Sequence, residues 1–289
     1  MKNTLLVVLV FILLSGCVVW KSARSVESPQ TDGKITDTAQ KIVFDTEKAP
    51  ESSGIENIFG DENYFITHGD SFCPSAVYGM QVKNGEVVRY DEFRLKGGSQ
   101  FDWEDTASSV DENGNRTLYL ADIGDNLRFR TRKTIYLITR IENNRAVVDR
   151  KIRFRCVKDG KTVYADTESL FFYDGALYVM TKNSGKALMF RIPLDEGDRV
   201  DAEFVQSVSI PSLITSAAAT DDGSVLAILS LGYLYFYDIS DGIDELDSKV
   251  MKIYSSSGCR QCEGVCFTRD GRVAVTNEQG ELYLFSVDF

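Results

Sequence analysis

A chain of 289 residues, 43% of them hydrophobic, is long enough to bury a full core. Its formal net charge of -11, or -12 once Lys2 is removed with a leader, gives a surface that repels nucleic acid and anionic lipid. No basic run of the nucleic-acid-binding kind occurs, so a polyanionic partner would need a bridging cation.

The chain starts with a short polar, cationic stretch, Met1 to Thr4, followed by ten apolar residues from Leu5 to Leu14. Ten residues fall well short of the roughly 20 that cross a bilayer, so residues 1–16 are expected to be a signal peptide. The ending Leu14-Ser15-Gly16-Cys17 resembles a bacterial lipobox, in which the Cys becomes the lipidated, palmitate-bearing first residue of a lipoprotein. That resemblance implies a lipid anchor in the bacterial cell envelope. Val18 in place of Asp points to the outer membrane where the cell has one. Residues 17–40 are rich in Ser, Thr, Asp and Lys without an apolar period, and are expected to form a flexible tether.

From residue 41 to 289 the chain reads as one all-β domain. Short apolar runs alternate with turn pairs at Asn84-Gly85, Asn113-Gly114, Asp159-Gly160, Asp174-Gly175, Asp222-Gly223, Asp241-Gly242 and Asp270-Gly271. A small-or-acidic cluster followed by an apolar run recurs, marked by Gly54, Asp105, Ser169, Ala217 and Gly264 at separations of 51, 64, 48 and 47 residues. A second signature follows each mark: residues 67–71, 121–126, 181–185, 229–232 and 276–280. A unit of about 50 residues with about four strands is the signature of a β-propeller blade. The pattern favours five four-stranded blades, with room for a sixth between Asp105 and Ser169. The last unit carries only three runs, and Lys41 to Phe44 is the natural fourth strand, closing the ring and covering two open edges.

The combination of Ser53-Gly54-Ile55, His68-Gly69-Asp70-Ser71, Asp102-Trp103-Glu104-Asp105, Asp122-Ile123-Gly124-Asp125-Asn126 and Cys262-Glu263-Gly264 resembles an uncharacterised family of exported bacterial β-propeller (lipo)proteins. The likeness covers nearly all of residues 51–289, and the DWED and DIGDN motifs are its most specific part. Distant propellers with similar acidic faces include calcium-dependent phytases and sugar lactonases. Two departures stand out: Gly69 occupies the usual place of Asn, and the fourth mark, Thr215 to Ala218, lacks an acidic residue.

In a propeller the innermost strand starts, and the second strand ends, on one face. The candidates for that rim are Glu56, His68, Asp70, Asp102, Trp103, Glu104, Asp105, Asp122, Asp125, Asn126, Asp166, Glu168, Lys182, Asn183, Glu263, Asn277 and Glu278. So many carboxylates repel one another unless a cation sits among them, and Ca2+ takes six to eight such oxygens. Glu104, Glu168 and Glu263 are the expected metal ligands. The competing reading is a polar rim in which Asp and Asn cap turns and Arg128, Arg130, Arg132 and Lys182 neutralise acids. Trp103 is a candidate to stack on a ligand or to wedge between blades. His68, the one His, has no Ser-His-Asp set around it. Carboxylate pairs such as Glu104 with Glu168 suit acid-base chemistry or metal-assisted hydrolysis. Export makes a disulfide plausible, and ring closure is expected to place Cys73 beside Cys259 or Cys262; Cys156 and Cys266 are expected to be buried thiols. The expected function is ligand binding at an acidic channel face, through Ca2+, to a small molecule or an envelope protein. A metal-dependent hydrolase and an envelope scaffold are the alternatives.

Overall fold

The computed structural model describes residues 28–58, 61–71 and 73–289. The signal peptide expected at residues 1–16 and the expected lipidation site at Cys17 lie outside the described residues. Among those described, no helix is long and apolar enough to cross a membrane.

Short β1 (Gly33–Lys34), one helical turn α1 (Ile35–Thr38) and β2 (Gln40–Val43) precede a series of antiparallel meanders. The first meander is β3 (Ser52–Asn57), β4 (Tyr64–Gly69), β5 (Ala76–Lys83) and β6 (Glu86–Lys96). The second is β7 (Trp103–Val110), β8 (Arg116–Asp122), β9 (Lys133–Glu142) and β10 (Arg145–Lys158), onto which the short β11 (Lys161–Thr162) folds back. The third is β12 (Thr167–Tyr173), β13 (Ala176–Thr181), β14 (Ala187–Pro193) and β15 (Arg199–Val208). The fourth is β16 (Ile214–Ala219), β17 (Val225–Ser230), β18 (Tyr233–Asp238) and β19 (Val250–Ser255). The last runs β20 (Cys262–Phe267), β21 (Arg272–Asn277) and β22 (Glu281–Ser286), and β2 adds to it as an outer strand.

The fold is β-propeller-like and all-β. β3 lies against β7, β7 against β12, β12 against β16, β16 against β20, and β20 against β3. Apolar residues from adjacent meanders meet between them, as where Phe171 and Met180 pack with Leu226 and Tyr237. Full burial of one such side chain contributes roughly 1.5–3 kcal/mol. The extra length between Asp105 and Ser169 goes into the 14-residue β10, β11 and the loop before β9, so that interval holds a single meander. The long β10 also pairs in parallel with β6 and β15, joining three meanders at their outer edges. At Asn84-Gly85, Asp159-Gly160 and Asp174-Gly175 both residues have positive φ, the backbone that a two-residue hairpin turn requires.

Two expectations are corrected. The tether was read to residue 40, yet β1 pairs with Tyr254 and Ser255 of β19, and Ile35 is fully buried. A single buried Ile produces no apolar period, so the sequence pattern did not reveal it. The expected bond from Cys73 to Cys259 or Cys262 is absent, because Cys259 and Cys262 bond to each other across a tight turn with Cα atoms 5.9 Å apart. Cys73 remains a thiol, its Sγ 3.4 Å from Glu51 Oε2. Cys156 and Cys266 are buried thiols, as expected.

Candidate functional site: an acidic mouth

Every first strand carries the same irregularity. The register with its partner slips between Ser52 and Gly54, Trp103 and Asp105, Thr167 and Ser169, Ile214 and Ser216, and Cys262 and Gly264. The extra residues are Ser53, Glu104, Glu168, Thr215 and Glu263, and a bulge re-aims the side chain it carries. Ser53 and Thr215 spend their hydroxyls on neighbouring strands, donating to Glu104 O at 3.2 Å and Cys262 O at 2.8 Å. The three glutamates instead join a common acidic mouth.

Glu104 shares that mouth with two sets of carboxylates. Its ligand atoms lie within 4.8 Å of those of Asp70 and Asp102 on one side, and of Asp166 and Glu168 on the other. Glu104 and Glu168 are therefore brought together as expected, but the third member of their set is Asp166 and not Glu263. Glu263 acts across Lys182, whose Nζ lies 3.0 Å from Glu168 Oε2. The other oxygen, Glu168 Oε1, is buried with no hydrogen-bond partner.

Burial is the main force on these groups. It drives Glu104 and Glu168 well above the usual carboxylate range, with their mutual repulsion and that of Asp70, Asp102 and Asp166 adding to it. Burial also pushes Glu263 up to about 8 against the attraction of Lys182. Glu278 is raised by burial and then by Asp70 and Glu51. Lys182 loses hydration as well, yet Glu168 and Glu104 hold its proton more firmly than usual. One cation thus serves several acids, which leaves the mouth short of positive charge.

Other acids find partners within the protein. Arg130 pairs with Asp122 at 2.7 Å, donates to Gly124 O at 2.7 Å, and stacks 4.9 Å over the exposed ring of Phe101. Ser71 donates to Asp102, and the Ile123 and Gly124 amides bond the Asp102 carbonyl. Asp125 caps its own loop, accepting from the Phe129 and Arg130 amides at 2.9 and 3.0 Å. Asn126 sits exposed on that loop. Gly124 is required by close approach: a Cβ there would overlap the carboxylates of Glu104 and Asp102.

Several candidates belong elsewhere. Asp105 is a buried tie, not a rim ligand. Its carboxylate accepts from Leu170 N at 2.8 Å, Thr106 N at 2.9 Å, Ser216 Oγ at 3.0 Å and Ala217 N at 3.2 Å. Trp103 is fully buried among Tyr64, Ile66 and Leu120 and edge-on to His68, so it is the wedge and not a stacking platform. His68 is also fully buried, and burial lowers it to about 4, which suits a neutral support. Glu56 lies toward the opposite end of β3, where Ser108 Oγ donates to its Oε2 at 2.7 Å and burial lifts it to about 7. Rim membership for Glu56 is therefore wrong: its place in the strand, two residues past Gly54, carries it below the mouth. Sequence reasoning missed Ser71, which no acidic or aromatic pattern marks, and left Asp166 out of the ligand set.

No family model matches the chain, and no curated protein matches it. Among solved structures it is similar to Kuenenia stuttgartiensis hydrazine synthase, with 12% identity over 82% of this chain and 71% of that one and a TM-score of 0.43. A likeness this distant says nothing about function.

Proposed function

We propose that the protein is an exported, lipid-anchored β-propeller of five four-stranded blades, closed by its N-terminal strand, whose acidic mouth binds a divalent cation and through it a ligand. The supporting observation is Glu168, whose Oε1 is buried and unpartnered and whose carboxylate lies within 4.8 Å of those of Glu104 and Asp166. The donor set is all oxygen and mostly anionic, which suits Ca2+ better than a soft metal. Glu104, Asp166 and Glu168, with Asp70 and Asp102 beside them, would hold the ion. Its charge would relieve the repulsion that raises these groups, and positions left open to solvent would take a small molecule or an envelope partner. The ligand's own anionic groups could then approach a face that otherwise repels them.

The test is calcium titration of the chelator-treated protein by calorimetry, with thermal unfolding in parallel. Saturating calcium at about 100 times Kd should stabilise the fold by about 2.7 kcal/mol. Glu168→Gln should weaken binding at least about tenfold, the loss of one charge-assisted contact. No heat and no change in Tm would defeat the proposal.

A hydrolase is the second reading, favoured by the proximity of the buried Glu104 and Glu168 carboxyls, whose oxygens lie within 4.8 Å of each other. Calcium-dependent phosphatase or lactonase turnover that collapses in Glu104→Gln would support it. Binding without turnover leaves a binding module. The anchor has its own test, since Cys17→Ser should release the protein from the membrane fraction.

A further inference from the structure

At the end opposite the acidic mouth, arginines gather in one cleft, beside the acids Glu56, Asp221 and Asp222 that line its neighbour. β8 runs from Arg116 to Asp122, so Arg116 lies about 20 Å from the mouth at the usual rise per residue. There a cleft of about 400 Å³ opens, a volume within the roughly 300–1,000 Å³ of small-molecule sites. Three arginines, Arg116, Arg140 and Arg269, line it, and among the described lining residues there is no carboxylate. Its remaining wall is largely aliphatic, formed by Ile58, Leu118, Ile138 and Ile141. In a chain of net charge -11 such a lining is the opposite of what average composition would give.

The arginines are held so that donors remain for a guest. Arg116 is nearly buried, with one terminal nitrogen on Asp221 and the other 2.8 Å from Ser108 Oγ, while its Nε is buried without a partner. Arg140 is turned to Asp149 at 3.0 Å. Arg269 makes no ion pair among the described residues, and its backbone amide is fixed by Asn57 Oδ1 at 3.2 Å. A guanidinium presents a planar fork that matches a carboxylate, and aliphatic walls match a hydrocarbon body.

We infer that this cleft is a second binding site, specific for a small organic anion with one carboxylate and an apolar body, whose head group meets Arg116 and Arg269 while its chain lies on the isoleucine and leucine wall. The site is independent of the acidic mouth and needs no metal.

Octanoate serves as the probe, titrated into the calcium-free protein by calorimetry, with octan-1-ol and octylammonium as the neutral and cationic matches. Octanoate should bind while the other two do not. Arg269→Gln should weaken octanoate at least about tenfold, and Arg269→Lys should recover part of the loss. Arg94→Gln, at an exposed arginine paired with Glu92, should leave affinity unchanged. Arg116→Gln should act like Arg269→Gln where circular dichroism and Tm show it folded; Arg269 alone decides the matter where it does not. The inference is overturned by absence of octanoate binding at millimolar concentration, by equal affinity in Arg269→Gln, or by octan-1-ol binding as well as octanoate.

Discussion

Replacing Glu56 by Gln should make the protein more stable, and increasingly so as pH rises. The wild-type carboxyl is 8% exposed and is lifted from 4.5 to about 7, chiefly by burial, against the lowering influence of Ser108 and Arg116. An acid whose pKa is higher in the folded state holds its proton there after the unfolded chain has released it. Stability is then full below about pH 4.5 and declines until the folded group has also ionised near pH 7. Every tenfold gain in proton affinity on folding corresponds to about 1.4 kcal/mol, so the wild type should lose roughly 2–3 kcal/mol from this group between pH 5 and pH 8. Gln is close to isosteric and cannot ionise, and its amide oxygen can still accept from Ser108 Oγ. Urea unfolding at both pH values, followed by fluorescence of the buried Trp103, gives the two free energies. The advantage of the variant should widen by that amount on going to pH 8. A gap that stays constant within about 0.5 kcal/mol would show that Glu56 is ionised at no special cost and that burial does not govern it.

Asp105→Ala removes one carboxylate that serves three first strands and leaves the Leu170 and Ala217 amides buried without partners, so urea unfolding should show a loss of roughly 3–5 kcal/mol. Gly124→Ala forces a methyl into the Glu104 and Asp102 carboxylates and should cost roughly 1–3 kcal/mol by the same assay, with calcium affinity falling alongside. Alkylation in denaturant without reductant should label Cys73, Cys156 and Cys266 and spare Cys259 and Cys262. Label on Cys259 would contradict the bond. Raising pH from 6 to 9 should destabilise the calcium-free protein, since Glu104, Glu168 and Glu263 all have raised pKa values, and added calcium should remove most of that slope.

The architecture was legible because each signal is local. Alternating apolar runs specify strands, and pairs such as Asp174-Gly175 supply a backbone that few other dipeptides adopt without strain. The orphan run at Lys41 showed its role because the last unit lacked a strand, and β2 does pair with β22. The site was legible only in outline. Glu104 and Glu168 share a strand position and therefore a mouth, but the difference between Asp105 and Glu104 is a single bulge that turns one inward as a tie and the other toward the buried carboxylates of the mouth. Register at that resolution is set by contacts with neighbouring strands, which adjacent residues in sequence do not encode. The same holds for Asp166, which enters the set because a loop folds its carboxylate onto the Asp125 amide at 2.6 Å. The arginine cleft escaped notice because Arg116, Arg140 and Arg269 are scattered singly through an acidic chain and only the fold assembles them.

The repeated bulge gives each of the five first strands one seat at the same place. Two are filled by hydroxyls and three by carboxylates, and each seat sits outside the apolar layers that hold the sheets together. Selection, or an engineer, can therefore reassign Glu104, Glu168 or Glu263 and change what the mouth accepts, whereas Ser53 and Thr215 tie neighbouring strands through their hydroxyls.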